Sequence, residues 1–290
     1  MMRLLIAGTG DIAARLVAQN GQRARFYGLA RKQSANPACD LPVAGDLDTL
    51  RSLSRLASMA NAVLHFAPPP PQGKNDSRTR HLLAALSRRG SLPRCLIYIS
   101  TSGVYGDCGG EWLDETRPPA PQSPRGQRRL DAERQLRRWG ARTGVRVVIL
   151  RAPGIYAADR LPKDRLEAGT PVLLPHEDSY SNHIHADDLA RAAWLALFRG
   201  RANRVYHACD DTPLKMGEYF RRVAHALNLP PPPEISRSEA ETCLSPMLLS
   251  FLRESRRLSN RRLRHELRMR LMHPEVSAAD LARADTRPQG

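Results

Sequence analysis

Long apolar runs are missing from this 290-residue chain: no stretch approaches the roughly 20 residues that a membrane-spanning helix requires. The opening MMRLLIAGTGD carries one arginine and too short an apolar segment for a signal peptide, and reads as a buried strand. Paired cysteines are missing too. Cys39, Cys95, Cys108, Cys209 and Cys243 are odd in number, scattered, and without CxxC spacing. They point away from a disulfide framework or a zinc site and toward reduced thiols in the cytoplasm. Lysine is scarce, present only as Lys32, Lys74, Lys163 and Lys215, so nearly all the cationic charge behind the net +16 is arginine. So large a charge invites a nucleic-acid reading. The basic residues are nevertheless spread along most of the chain, and an arginine skew reflects codon bias more readily than a polyphosphate partner. Charge alone speaks to solubility and non-specific association, so neither a nucleic acid nor a membrane is expected as a partner.

What is present is an alternation of apolar runs and helical patterns. RLLIAG, ARFYGLA, NAVLHFA, RCLIYIS and VRVVILR read as strands, and between most of them lie amphipathic segments such as DIAARLVAQNG and RTRHLLAALSRRG. Continuous apolar strands separated by helices imply a parallel sheet covered on both faces. The fold class is α/β, a Rossmann-type doubly wound parallel sheet with a smaller C-terminal helical substrate region. The expected division is residues 1–165 for an NADP-binding domain and 166–290 for the substrate region, with a helix near 187–199 packing back on the first. PPPP at Pro230–Pro233 reads as a stiff linker. Leu263, Leu267 and Leu271 recur at four-residue spacing amid arginines, the pattern of a helix laying a leucine stripe on the core.

The sharpest local signal is IAGTGDIAA, in which Gly8, Gly10 and Ala13 form GxGxxA around Asp11 and Ile12 directly after the first strand. In that context Gly8 permits a tight turn and Gly10 lets a pyrophosphate approach the backbone. Ala13 allows close helix–sheet packing, and the helix N-terminus stabilises the anion. The second strand ends at Ala30 and continues into Arg31 and Lys32, where an NAD site would carry an acidic residue. Two cations there favour NADP over NAD through the 2′-phosphate; the alternative is a solvated basic loop. His183, His185, Asp187 and Asp188 lack a further ligand set with metal spacing, so no metal is expected, and Asp187 reads as a helix cap. Tyr180, Ser181 and Asn182 just before them are candidates for a pocket lining.

Taken together, GxGxxA at Gly8, VAGDL around Asp46, VLHFA before Pro68, ISTSGVYG from Ile99, RAPGIY from Arg151 and HIHADDLA from His183 resemble the extended short-chain dehydrogenase/reductases, the NAD-dependent epimerase/dehydratase family. The motifs occur in order from the first residues to about Gly200. The resemblance implies that Asp46 contacts the adenine, that Phe66, Ala67 and Pro68 line the cofactor, and that Thr101 holds the substrate oxygen. In dehydratases of this family an Asp–Glu pair follows that threonine; here Ser102 and Gly103 stand instead, which argues against a sugar-nucleotide dehydratase.

The same resemblance interprets SPRGQRRLDAE at residues 123–133. It looks like the family's SPYGxSKLxAE, whose tyrosine and lysine form the catalytic dyad, and Ser123, Pro124, Gly126, Leu130, Ala132 and Glu133 keep the register. The dyad positions hold Arg125 and Arg129. Arginine stays protonated and cannot cycle as a general acid, and losing a positioned proton donor typically costs about 10²–10⁴ in rate. Arg129 retains donors for a ribose hydroxyl, and Arg125 can act as a fixed cation toward an alkoxide, carboxylate or phosphate. Tyr105 is the nearest substitute proton donor and Tyr156 a weaker one, although an aromatic at a strand end more often packs or caps. Two functions stay open. One is an NADP-dependent oxidoreductase or epimerase-like enzyme acting on an anionic small molecule; the other is a non-catalytic NADP-binding or redox-sensing module. The family also suggests a homodimer, in which Leu82, Leu83, Leu86, Leu130 and Leu136 serve either a helical seam or the core.

Overall fold

The computed structural model describes residues 1–31, 39–88 and 92–282. Seven strands form the central sheet: β1 Met2–Ala7, β2 Ala24–Ala30, β3 Leu41–Ala44, β4 Ala62–His65, β5 Cys95–Thr101, β6 Arg146–Ala152 and β7 Arg204–His207. Their order is β3-β2-β1-β4-β5-β6-β7 and every neighbouring pair is parallel. The chain direction across the sheet reverses between β1 and β4. That switch point leaves a crevice at the carboxyl ends of the strands, where doubly wound folds bind ligands. The strands read as apolar runs because both faces are buried: Leu4, Leu5 and Ile6 in β1, and Leu96, Ile97 and Tyr98 in β5, are fully enclosed.

Helices α1 (Asp11–Asn20) and α4 (Ala186–Arg199) pack on one face of the sheet, and α2 (Ser77–Leu86) and α3 (Pro124–Thr143) on the other. α3 starts as its sequence dictates: the Ser123 hydroxyl accepts the Gly126 N–H at 3.2 Å, and Pro124 occupies the first turn. It stops at Gly144, in the left-handed region at φ 74°. The five leucines considered for a dimer seam are all buried within one chain. The core therefore already occupies that surface, and the outward faces of α2 and α3 present Arg80, Ala84, Arg134 and Arg138.

The expected boundary near residue 165 does not separate two layers cleanly. Beyond it, α4 packs on α1, and β7 completes the central sheet beside β6. A smaller cluster gathers around α5 (Met216–Ala226), with Tyr219, Phe220 and Val223 against Tyr156 and Leu166. The leucine stripe reaches the core by another route than one long helix. A short helix covers only Arg261–Glu266, and Arg268 takes φ 49°. Leu263, Leu267 and Leu271 are nonetheless all buried in the cluster containing Trp194. Burial fixed which residues go inward, while the turn at Arg268 ended the helix.

Candidate functional site

The turn after β1 has the geometry that GxGxxA requires. Gly8 sits at φ +101°, and a β-carbon on it would lie 2.3 Å from the Ala67 nitrogen. The Ala67 and Phe66 N–H groups both donate to Ala7 O at 2.8 Å, so the segment after β4 is drawn against the glycine turn. Gly10 is the residue before α1, and a β-carbon there would meet nothing within 4 Å. The first turn of α1 thus faces open space, as an approaching pyrophosphate would need. Ala13 is buried on the sheet side and Ile12 packs beside it. Asp11 is engaged by Arg15 Nε at 2.9 Å and Arg160 Nη1 at 2.8 Å, which offset its charge at the helix start. Arg15 also reaches Asp187 at 2.9 Å. The cap of α4 is therefore not Asp187 but His185, whose Nδ1 accepts the Asp187 N–H at 3.2 Å.

At the adenine end, Arg31 follows β2 and is exposed, and Lys32 lies outside the described residues. Asp46 follows β3, half-buried, with its carboxylate accepting the Asp48 N–H at 2.9 Å. Arg78 pairs with Asp48 at 2.6 Å and also donates to the Pro68 carbonyl at 3.2 Å. The proline loop is thereby tied to the end of β3. Gly8, Gly10, the α1 start and Pro68 together fit a dinucleotide.

From Pro68 the crevice widens into a cavity of about 860 Å³. Thr101, Arg125 and Arg129 share its wall with residues 152–155, at and just beyond the end of β6. Thr101 Oγ1 accepts the Gly103 N–H at 3.2 Å. Arg129 is anchored, donating from Nη1 to Ile99 O at 2.8 Å and to the Tyr98 hydroxyl at 3.1 Å. Arg125 differs. Its guanidinium lies over the Phe251 ring at 4.1 Å, and burial lowers its pKa from the usual guanidinium value, with the Glu254 carboxylate acting in the opposite direction. Arg165 is also stacked, over Phe220 at 4.1 Å.

Neither candidate tyrosine lines the cavity. Tyr105 is buried off the cavity, its hydroxyl held by Arg151 Nη1 at 2.7 Å and by His207 Nε2 at 2.5 Å. His207 Nδ1 lies 3.0 Å from Ser259 O, so this nitrogen carries the proton, Nε2 accepts, and the tyrosine donates to it. Burial pushes the Tyr105 phenol up to about 12. Tyr156 is enclosed as well and donates to Glu275 O at 3.0 Å. Aromatic packing at strand ends prevailed in both cases, because an apolar body with one satisfied hydroxyl is stable inside.

Tyr180, Ser181 and Asn182 do line the cavity, joined by His183. Burial pushes the His183 imidazole down to about 3, so it is neutral, and it stacks on Tyr219 with centroids 4.2 Å apart. Among the described residues, His185, Asp187 and His273 bring ligand-type atoms within 4.8 Å of one another. The two imidazoles stack at 3.7 Å and 24°, which places their in-plane lone pairs in nearly parallel planes rather than converging on one ion.

Several lining residues carried little or no local signal: Arg165, Phe251, Glu254 and Arg256 come from segments 40 to 131 positions beyond Arg125. Gly154 and Ile155 were visible only as part of RAPGIY.

Residues 5–209 match the model of the NAD dependent epimerase/dehydratase family. A UDP-glucose 4-epimerase of Azospirillum brasilense is 32% identical over 211 residues, covering 59% of this chain and 60% of the relative. The chain thus matches less than two thirds of that relative's length. Among solved structures, a functionally unknown conserved protein from Silicibacter pomeroyi superposes with a TM-score of 0.81 at 27% identity, covering 98% of both chains. The UDP-glucuronic acid 4-epimerase of Bacillus cereus in complex with NAD superposes with a TM-score of 0.74 at 17% identity, over 97% of this chain and 96% of that one, a likeness of fold.

Proposed function

Because the chain belongs to the NAD-dependent epimerase/dehydratase family, we propose that it is a nicotinamide-nucleotide-dependent oxidoreductase or epimerase-like enzyme acting on an anionic small molecule. The observation that carries this reading is Arg125. It replaces the dyad tyrosine, lines the cavity beside Thr101, and rests on an aromatic ring rather than in an ion pair. A half-buried cation without a close protein counterion is poised for one from a ligand. The nucleotide, when bound, supplies hydride exchange. This chain's residues do the rest: Gly10 and the α1 start receive the pyrophosphate, Arg129 faces the ribose, and Thr101 and Arg125 hold the substrate oxygen.

Replacing Arg125 with alanine is expected to weaken the best-bound member of a carboxylate and phosphate panel at least about tenfold, or about 1.4 kcal/mol, with NADPH affinity nearly unchanged. Calorimetry checks both. An unaltered affinity for every anion would return Arg125 to the helix surface.

NADP is the cofactor this reading favours, on the cations at Arg31 and Lys32. NADPH should bind more tightly than NADH, and Arg31→Asp should narrow or reverse the difference. Equal affinities in the parent protein would remove the argument.

A second reading, a non-catalytic NADP-binding module, is favoured by the enclosure of both Tyr105 and Tyr156. Consumption of NADPH with carbonyl compounds separates the two, whereas cofactor binding alone does not. Carbonyl reduction that first arises in the double variant Arg125→Tyr, Arg129→Lys would show that only the proton relay was missing.

A further inference from the structure

Resting on the reading of Arg125 as the substrate's fixed cation, we propose that the Glu254 carboxylate takes the proton from the substrate oxygen, or returns it. Glu254 is the only carboxylate among the described residues lining the cavity, whose wall also carries Arg125, Arg128, Arg129 and Arg256. It is buried, and it sits in the segment after the short helix Pro246–Leu252. That segment is pinned at three points. Asp107 Oδ1 accepts the Ser255 N–H at 2.8 Å, Ser255 Oγ accepts the Tyr180 N–H at 3.0 Å, and Arg256 Nη1 donates to Gly106 O at 2.6 Å. A residue 153 positions from Thr101 is thereby fixed beside it.

The placement relative to Gly103 is specific. A β-carbon on Gly103 would lie 3.6 Å from Thr101 Oγ1 and 3.8 Å from Glu254 Oε2. The space that a side chain at 103 would reach therefore holds a carboxylate supplied by a distant segment. Glu254 and Arg125 are close enough to feel each other's charge, yet each has another neighbour: Arg256 Nη2 lies 2.9 Å from Glu254 Oε2, and Phe251 lies under Arg125. Opposite charges held apart in this way leave room for a ligand oxygen between them.

The chemistry assigns complementary roles. Arg125 cannot release a proton but can stabilise an oxyanion. A carboxylate can accept the hydroxyl proton that the cation helps to release. In the oxidising direction the alcohol loses a hydride to the oxidised nicotinamide nucleotide and its O–H proton to Glu254. The C=O bond forms, and the carboxyl then returns the proton to water. The charged and titratable groups around Glu254 are Arg256 on its own segment, Arg125 on α3, Tyr180 on the neighbouring strand that bonds Ser255, and Asp107 behind Ser255.

The test uses the full chain saturated with NADP⁺ and titrated calorimetrically with oxalate at pH 6, 7 and 8. An oxyanion seated between Arg125 and Glu254 is repelled by the carboxylate, which favours proton uptake there on binding. Parent affinity should then fall as pH rises, by at most about tenfold per unit, the limit for one linked proton. Glu254→Gln should flatten the profile and bind oxalate at least about tenfold more tightly than the parent at pH 8. Glu254→Asp, which keeps the charge, should retain a slope and serves as the test should the glutamine variant not fold. With NADPH and a panel of 2-oxo acids, Glu254→Gln should lower kcat by about 10²–10⁴ at unchanged NADPH affinity. The same slope in parent and Glu254→Gln overturns the assignment while leaving the Arg125 reading intact. A profile flattened by Tyr180→Phe instead overturns it in favour of the tyrosine. No oxalate binding to parent or variant overturns the Arg125 reading and this role together.

Discussion

Glu133→Ala should destabilise the protein by about 3–5 kcal/mol. Arg151 pairs with Glu133 through two bonds, Nη2 to Oε2 at 2.7 Å and Nε to Oε1 at 3.0 Å, and both side chains are almost wholly enclosed. Ser100 Oγ donates to the same carboxylate at 2.6 Å, and Arg151 continues to Tyr105 and through it to His207. Removing the glutamate leaves a guanidinium inside the protein without a counterion, and this uncompensated charge, rather than the lost attraction, sets the cost. Thermal melting should register a fall on the order of 10 °C. Glu133→Leu combined with Arg151→Met removes both charges and should recover most of the loss. A fall below about 1 kcal/mol for Glu133→Ala would mean that water reaches Arg151. Since Glu133 belongs to α3 and Ser100 to β5, loss of the network would also loosen Thr101 and Arg125.

The second large effect concerns two glycines only two residues apart. Gly8→Val places a β-carbon against Ala67 backbone atoms at 2.3 and 2.7 Å, with φ at +101°. The backbone strain is about 1–3 kcal/mol and the overpacking about 1–3 kcal/mol. The neighbour cannot easily retreat, because its N–H is bonded to Ala7 O. Both stability and NADPH binding should suffer. Gly10→Val should behave differently: at φ −78° a side chain is unstrained and meets nothing within 4 Å. The unliganded protein should keep its melting temperature within about 2 °C, the scale of a surface substitution, while NADPH affinity falls at least about tenfold (1.4 kcal/mol). Equal NADPH affinity in Gly10→Val and the parent would place the pyrophosphate elsewhere.

These glycines illustrate what the sequence determined by itself. GxGxxA is legible because a turn, a close approach and a helix start must follow one another within six residues, and local backbone chemistry encodes all three. The sheet was legible for a similar reason: strands buried on both faces must be continuously apolar, and the helices between them must have one apolar side. The helix start at Ser123, and with it the place of Arg125 and Arg129 on the first turns of α3, could be read from the local sequence. The tertiary structure decided the rest. It placed Tyr105 and Tyr156 inside, where a hydrogen-bonded hydroxyl is compatible with burial, so neither reaches the cavity. It drew β7 into the sheet and ended the last helical pattern at Glu266, while Leu267 and Leu271 still reached the core. It set Glu254 across Gly103 from Thr101 by way of hydrogen bonds from Ser255 and Arg256 to residues nearly 150 positions earlier. Periodicity reports which side of an element faces inward. Which distant side chains meet in one cavity depends on how the elements pack, and no local pattern carries that information.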